Sequence, residues 1–455
     1  MKKTRLAILS LSAVLILTAC TGLPSKSKND NSKEDKTSNE PSSQQVVLSK
    51  IQLKEPENTS MLTDNCRAYI DDMREQQEGL DDDPYMYSDL NLYEGVHIED
   101  AKYLDTGDPE GENRSRNKIP NRSDRNMGID LEFTLEDGFE ADEYKVLVSE
   151  NQDMSNAKEF KTTTNKVNVN NLFVNKDYYW KVVAGDEESN VGTFTTGDYP
   201  RWITCRSLTG EEGGRGIYNV RDLGGYMTES GKRVKQGLVY RGGEITTMSS
   251  GGHYNTITEI SRKTFREDMG MVGGIELDLR GTGDISDGYK ACAFAEDGDI
   301  GYVMHAIKSY EQTFTQTRSE VAPIFELLKN ADEKPVYFHC FGGADRTGTI
   351  GFLLNGLLGV SYTDLVIDFE LTSYSSIDNE HIRCHMPDNN SLGQKHQHNY
   401  DRWPALINQI KTDTTGGYAW DDDALLKDNI EEFLVKACSV PQDTIDTIRD
   451  IMLED

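Results

Sequence analysis

With 455 residues the chain has room for two domains, and 78 acidic against 48 basic residues give it a formal net charge of −30. Such acidity argues against nucleic acid as a partner, because phosphate-backbone binding rests on basic patches, and it is read as a solvated exterior. Seven cysteines scattered without paired spacing argue against a disulfide framework and against a structural zinc site.

Lys2, Lys3 and Arg5 precede an apolar run from Leu6 to Leu17, and Thr18 Ala19 Cys20 follow. A basic head, a short apolar core and a small-residue ending make residues 1–19 an export signal rather than a spanning helix. The Leu17 to Cys20 ending resembles the bacterial lipobox, which implies that Cys20 becomes the lipidated first residue of the mature chain. The expected location is therefore extracytoplasmic, lipid-anchored to the bacterial cell membrane. Residues 20–45 are rich in Ser, Lys, Asn, Asp and Glu and cannot bury enough apolar surface to offset chain entropy, so they read as a disordered tether.

Residues 46–198 form the first predicted domain. Leu62 to Gln76 has a helical pattern, and Asp105 to Arg125 reads as a polar loop. Beyond them apolar residues alternate: Tyr144, Val146 and Val148, then Val167 and Val169, then Trp180, Val182 and Ala184, then Phe194. This period of two predicts half-buried antiparallel strands. The run from Asp177 to Thr196 resembles the late strands of fibronectin type III domains, which implies an all-β sandwich with insertions. A spacer or packing partner is its expected role, ahead of substrate or cell-wall binding.

Residues 199–455 change character. Leu238 to Arg241, Gly274 to Leu279, Gly301 to Met304 and Val336 to Phe338 read as strands, with helical patterns at Thr258 to Met269 and Arg318 to Ala331 between them. That interleaving predicts an α/β layer with a mostly parallel central sheet and flanking helices. Such sheets bind ligands at the carboxyl ends of their strands, where Arg241, Arg280 and Cys340 fall. The two arginines are candidates to line the pocket, with a structural ion pair as the alternative. Asp81 to Asp83 and Asp421 to Asp423 lack the spaced ligands of a calcium loop and read as solvated caps, the second before a helix from Ala424. His381, His385, His396 and His398 share a stretch with Pro387 and Gly393, so they predict a substrate-facing loop without metal.

His339 to Gly348 reads HCFGGADRTG. A short buried strand precedes it, and Thr347 to Leu358 reads as a buried helix stopped by Gly359, so a loop connects a strand to a helix start. Helix starts present free N–H groups and positive dipole ends, which suit a phosphate dianion and a thiolate alike. Cys340 is the expected nucleophile and Arg346 the clamp, its planar fork holding two phosphate oxygens. Phe341, Gly342, Gly343, Ala344, Asp345, Arg346 and Thr347 would wrap the phosphate, the two glycines letting successive N–H groups turn inward. The Thr347 hydroxyl would assist departure of the sulfur.

The motif resembles the active-site signature of cysteine-dependent protein tyrosine phosphatases, and more narrowly a bacterial tyrosine phosphatase family whose loop reads HCxxGKDRTG. Asn219 to Tyr226 (NVRDLGGY), Glu276 to Arg280 (ELDLR), Phe369 to Leu371 and Phe433 to Leu453 extend the resemblance over most of Thr204 to Leu453. It implies hydrolysis of phosphomonoesters, most of all protein phosphotyrosine, through a phosphocysteine, with neither metal nor cofactor. Phosphatases of the wider superfamily carry an acid aspartate on a separate upstream loop, yet Tyr302 to Ala331 contains none. Asp345 is then the expected general acid, as in the narrower family, with Asp278 in reserve. Ala344 stands where that family has lysine, removing a charge expected at the pocket mouth. Two alternatives stay open: phosphoinositide or inositol phosphate as substrate, and a surface protein that captures phosphorylated ligands without turnover.

Overall fold

The period-two pattern of the first half of the chain becomes two antiparallel sheets. β1 (Ile51–Leu53), β2 (Ile129–Leu135) and β5 (Lys166–Val169) form one, with Ile51 opposite Leu135 and Ile129 opposite Val169. β3 (Tyr144–Ser149), β4 (Lys158–Thr162), β6 (Asp177–Ala184), β7 (Glu187–Glu188) and β8 (Gly192–Thr195) form the other. Along β6 burial alternates residue by residue, and Tyr178, Trp180 and Val182 point to the same core as Ile51, Leu131, Phe133 and Val146. The computed structural model describes residues 49–79, 83–87, 126–205, 216–245, 257–281, 293–375 and 402–455, all within one unit spanning Ser49–Asp455. The signal, the tether, Asp81, Asp82, the polar loop at 105–125, the four histidines, Cys292 and Cys384 lie outside the described residues.

The helix expected near Leu62 runs over Asp64–Gly79. Cys66, Tyr69, Ile70 and Met73 mark its buried face at spacings of three and four, and that face enters the core of the C-terminal region. Its partner is the helix Tyr362–Leu371: the Tyr69 hydroxyl donates to Glu370, Arg74 pairs with Asp364 at 3.1 Å, and Thr363 donates to Gln77 at 2.6 Å. The sheets are joined to the same region through buried Arg201. It pairs with Asp222 at 2.8 Å and donates to the carbonyls of Asn171 and Leu172. Val174 and Gln236 exchange two further hydrogen bonds, at 2.8 and 2.9 Å.

Five strands make the C-terminal sheet in the order β12 (Gly301–Met304), β11 (Ile275–Asp278), β13 (Val336–His339), β10 (Val239–Gly242) and β9 (Arg221–Asp222). The first four are parallel, and β9 is antiparallel to β10. Parallel register sets Gly242 and Asp278 each opposite His339, so three strands end at one edge. Helix Asp345–Leu357, buried from Thr347 onward, leaves that edge directly after β13. The closing stretch is two helical segments, Leu426–Ala437 and Gln442–Met452, the first starting ahead of the stretch read from Phe433. The helix expected from Ala424 begins at Leu426, with Leu425 at its N-cap and no side-chain cap. Asp421 instead accepts from the N–H of Asp423, closing the preceding turn. Among the described residues no helix is long and apolar enough to cross a membrane.

Removing the thioether of Met73 should cost about 2–5 kcal/mol, the range for a cavity left by a large core side chain. Denaturant titration of Met73→Ala reads the magnitude. Hydrogen exchange reads the place: the amides of Tyr362–Leu371 should lose protection, whereas losses confined to the N-terminal sheets would contradict this packing.

Candidate active site

Cys340 follows β13 immediately and is buried at the sheet edge, and the helix beginning at Asp345 takes Ala344 as an N-cap without any side-chain hydrogen bond. No polar side chain therefore competes at that cap for the first-turn N–H groups. Arg346 is the second residue of the helix and half-buried, while Phe341 is 37% exposed at the mouth. Ala344 is buried, so its methyl faces inward rather than lining the rim expected from the sequence. Thr347 is buried too, and among the described residues its hydroxyl finds no hydrogen-bond partner.

The scaffold grips the loop by its carbonyls. His339 Nδ1 lies 3.1 Å from the Cys340 oxygen, and the Glu244 N–H donates to Phe341 at 3.0 Å. Asn219 Nδ2 donates to Gly342 at 3.1 Å and to Gly343 at 3.2 Å, and Arg241 donates to Gly343 at 2.8 Å. Four successive carbonyls are thus engaged from the scaffold side, which turns the peptide N–H groups toward the concave face as in an anion nest. Gly343 adopts φ +68°, and a Cβ there would lie 2.3 Å from the Gly242 carbonyl, so only glycine fits.

Under the loop sits a second tier. Asp368, on helix Tyr362–Leu371, accepts from Arg221 at 3.2 Å and from Arg241, while Arg221 also donates to the Asn219 side chain. Burial opposes the Asp368 charge, but Arg241 and Arg221 overcome it and hold the carboxyl below its ordinary value. Burial, with Arg241 adding to it, pushes Arg221 down to about 10.

Of the two arginines considered for the pocket, each takes the structural alternative. Arg241 is buried beneath the loop, and Arg280 holds both oxygens of Asp278 at 2.7–3.1 Å and also pairs with Glu244. Asp278 is itself buried. Although desolvation acts against its charge, His339 and Arg280 hold its carboxyl below the usual range, an ill fit to a proton donor. Asp345 differs: it is half-buried at the helix start and accepts from the Tyr310 hydroxyl at 2.8 Å.

Glu276, Asp278 and His339 bring their ligand atoms within 4.8 Å of one another, a grouping that metal ions also use. Here the donors are engaged internally. His339 Nε2 meets Glu276 at 2.9 Å while Nδ1 meets the Cys340 carbonyl, and two acceptors call for two N–H donors, the imidazolium form. Burial works against that charge, but Asp278 and the Glu276 hydrogen bond raise the His339 pKa. A cationic ring with Arg280 beside it fits an ion-pair network better than a metal centre.

The model of the tyrosine phosphatase family matches residues 214–261 and 290–454. This match supports a phosphatase family for the C-terminal region. No curated protein matches the chain. The matched residues include Asn219, Arg221, Arg241, Cys340 to Thr347 and Asp368, and leave out Asp278 and Arg280. Among the described residues Cys66, Cys205, Cys340 and Cys438 form no disulfide, and burial pushes the Cys66 and Cys438 thiols up to about 12, which disfavours their thiolates.

Asp368 had no place among the residues expected in the site, nor had Asn219 a role. Their signal was present: Val366 to Leu371 sets Asp368 and Glu370 inside an apolar helix, where a carboxylate must find a partner. Asp368→Asn should destabilise the fold by about 3–5 kcal/mol, because two buried arginines lose their counter-charge. The depressed carboxyl contributes fully above its ordinary value of 3.8 and loses that contribution as pH falls through its lower folded value. Acid unfolding of the variant should therefore lack this component, and an unchanged acid profile would show that Asp368 is not the counter-charge.

Proposed function

We propose that the protein is a surface-anchored phosphatase that hydrolyses phosphomonoesters, above all protein phosphotyrosine, through a phosphocysteine. The observation that carries the reading is Cys340 in a loop whose four carbonyls are tied to the scaffold and which ends in an uncapped helix start. Sγ of Cys340 attacks phosphorus, an S–P bond forms, and the ester P–O bond breaks in line. Asp345 gives its proton to the departing oxygen while Arg346 and the N–H groups of Phe341 to Thr347 hold the equatorial oxygens. A water molecule then attacks phosphorus, Asp345 takes its proton, and the S–P bond breaks. The unpartnered Thr347 hydroxyl is a donor for the leaving sulfur.

Exposed Phe341 offers an aryl ring an apolar edge beside Cys340, which supports phosphotyrosine as the substrate class. Polyphosphorylated lipids and inositol phosphates would gain from a further cation in the loop, and Ala344 supplies none. A protein that only captures phosphorylated ligands has no use for a nucleophile, so turnover is the stronger reading. The N-terminal sheets, taken as a fibronectin type III-like sandwich, act in this reading as a packing partner of the phosphatase region. Neither metal nor organic cofactor enters the reaction, and nucleic acid is not a partner. In this reading the enzyme is held by a lipid on Cys20 at the outer face of the cell membrane, which the resemblance of Leu17 to Cys20 to a lipobox supports.

Two experiments test this. Cys340→Ser should abolish turnover of a phosphotyrosine peptide yet retain phosphate binding. Asp345→Asn should slow esters of basic leaving groups by about 100-fold to 10,000-fold and activated aryl phosphates far less. Retained activity in Cys340→Ser would end the phosphocysteine mechanism, and equal losses on both esters in Asp345→Asn would remove the acid role. Separately, Cys20→Ser should move the protein out of the membrane fraction. Mass spectrometry of an unmodified mature N-terminus elsewhere in the chain would refute the anchor.

A further inference from the structure

Tyr310 has a backbone that few bulky residues adopt, with φ 52° and ψ −129°. It stands seven residues after Val303 of β12, at the start of helix Glu311–Gln316, and is buried. Several contacts fasten it. Its N–H donates to Thr349 Oγ1 at 2.9 Å, its hydroxyl donates to Asp345 Oδ1 at 2.8 Å, and its ring meets Phe369 edge-on at 6.3 Å. Thr349 Oγ1 in turn donates to the Asp345 carbonyl at 3.0 Å. Both ends of Tyr310 are therefore attached to Asp345, one through the side chain and one through Thr349. Where a residue in an unfavourable conformation has both its N–H and its side chain bonded along paths that end at one carboxyl-bearing residue, holding that carboxyl is a reason for the conformation.

From this geometry we infer that Tyr310 is the positioning residue of the general acid, fixing which oxygen of Asp345 carries the proton. The inference rests on the reading of Asp345 as the acid. A phenol that donates to Oδ1 occupies that oxygen as an acceptor, so the transferable proton belongs on Oδ2. The same bond restrains rotation of the carboxyl about its Cβ–Cγ axis. Proton delivery in the transition state depends on such orientation, since a carboxyl turned away from the leaving oxygen donates to nothing. Tyr310 touches neither the phosphate nor the leaving group in this scheme. Its effect passes entirely through Asp345.

The test compares leaving groups. In the full chain, Tyr310→Phe keeps the buried ring and removes one oxygen. Its kcat/KM for phosphate esters of basic alcohols should fall about 10-fold, with activated aryl phosphates unchanged within about twofold. Competitive inhibition by inorganic phosphate should stay as in the parent, because the loop is intact. Placed in an Asp345→Asn background, the same substitution should cause no additional loss. Incorporation of fluorotyrosine at 310, a donor of the same shape, should restore the rate on basic leaving groups. Equal losses on all esters, additivity with Asp345→Asn, or failure of fluorotyrosine to restore the rate would overturn the inference. If Asp345→Asn alone discriminates between leaving groups while Tyr310→Phe does not, only the role of Tyr310 falls. If Asp345→Asn does not discriminate, the acid assignment falls and takes this inference with it.

Discussion

Asp368 lies between Arg221 and Arg241, buried below the loop, and the shape of the site depends on this shared carboxylate. A buried arginine needs its charge balanced and its donors used. Asp368 pairs with both side chains, and further donors reach upward, Arg241 to the Gly343 carbonyl and Arg221 to Asn219, which holds Gly342 and Gly343. The loop's curvature is thus enforced from outside before any ligand arrives. One carboxylate against two guanidinium groups also leaves a surplus positive charge beneath the concave face, in a setting where little solvent screens it. Both features favour a dianion, and neither demands rearrangement when it binds.

Helix Tyr362–Leu371 carries Asp368, and its opposite contacts come from far away in sequence. Asp64–Gly79 reaches it from the N-terminal side through Tyr69, Arg74 and Gln77. The segment between the first two strands of the N-terminal sheets therefore helps to seat the helix that seats the arginines. This gives a physical reason for the N-terminal region to accompany the C-terminal region, apart from any ligand of its own.

Legibility in the sequence followed the kind of interaction involved. Strands β10 to β13 and the helix after Cys340 could be read within one or two residues, since their apolar runs and punctuating glycines are local signals. The loop was legible because Cys340, Gly343 and Arg346 sit within one short segment. What escaped were residues whose partners are distant. Asp368 meets arginines almost 130 and 150 positions away, and Tyr310 meets Asp345 across 35, separations at which periodicity carries no information. Arg241 and Arg280 were placed at the correct edge, but whether such an arginine faces a pocket or a buried carboxylate depends on tertiary neighbours. The closing helices show the same limit: the first of them starts at Leu426, ahead of the stretch read from Phe433, and the chain turns between them at Ser439, where φ is +61°.

The proposed hydrolysis requires a covalent bond between the substrate's phosphorus and one sulfur. Turnover of a phosphotyrosine peptide, stopped with denaturant on the millisecond scale and followed by peptide mapping, tests that bond directly. The peptide containing Cys340 should gain the mass of one phosphoryl group, transiently and in proportion to active enzyme, with no gain on peptides containing Cys66, Cys205 or Cys438. Steady hydrolysis with no phosphoryl mass on Cys340 at any quench time, or with that mass on another residue, would contradict the account.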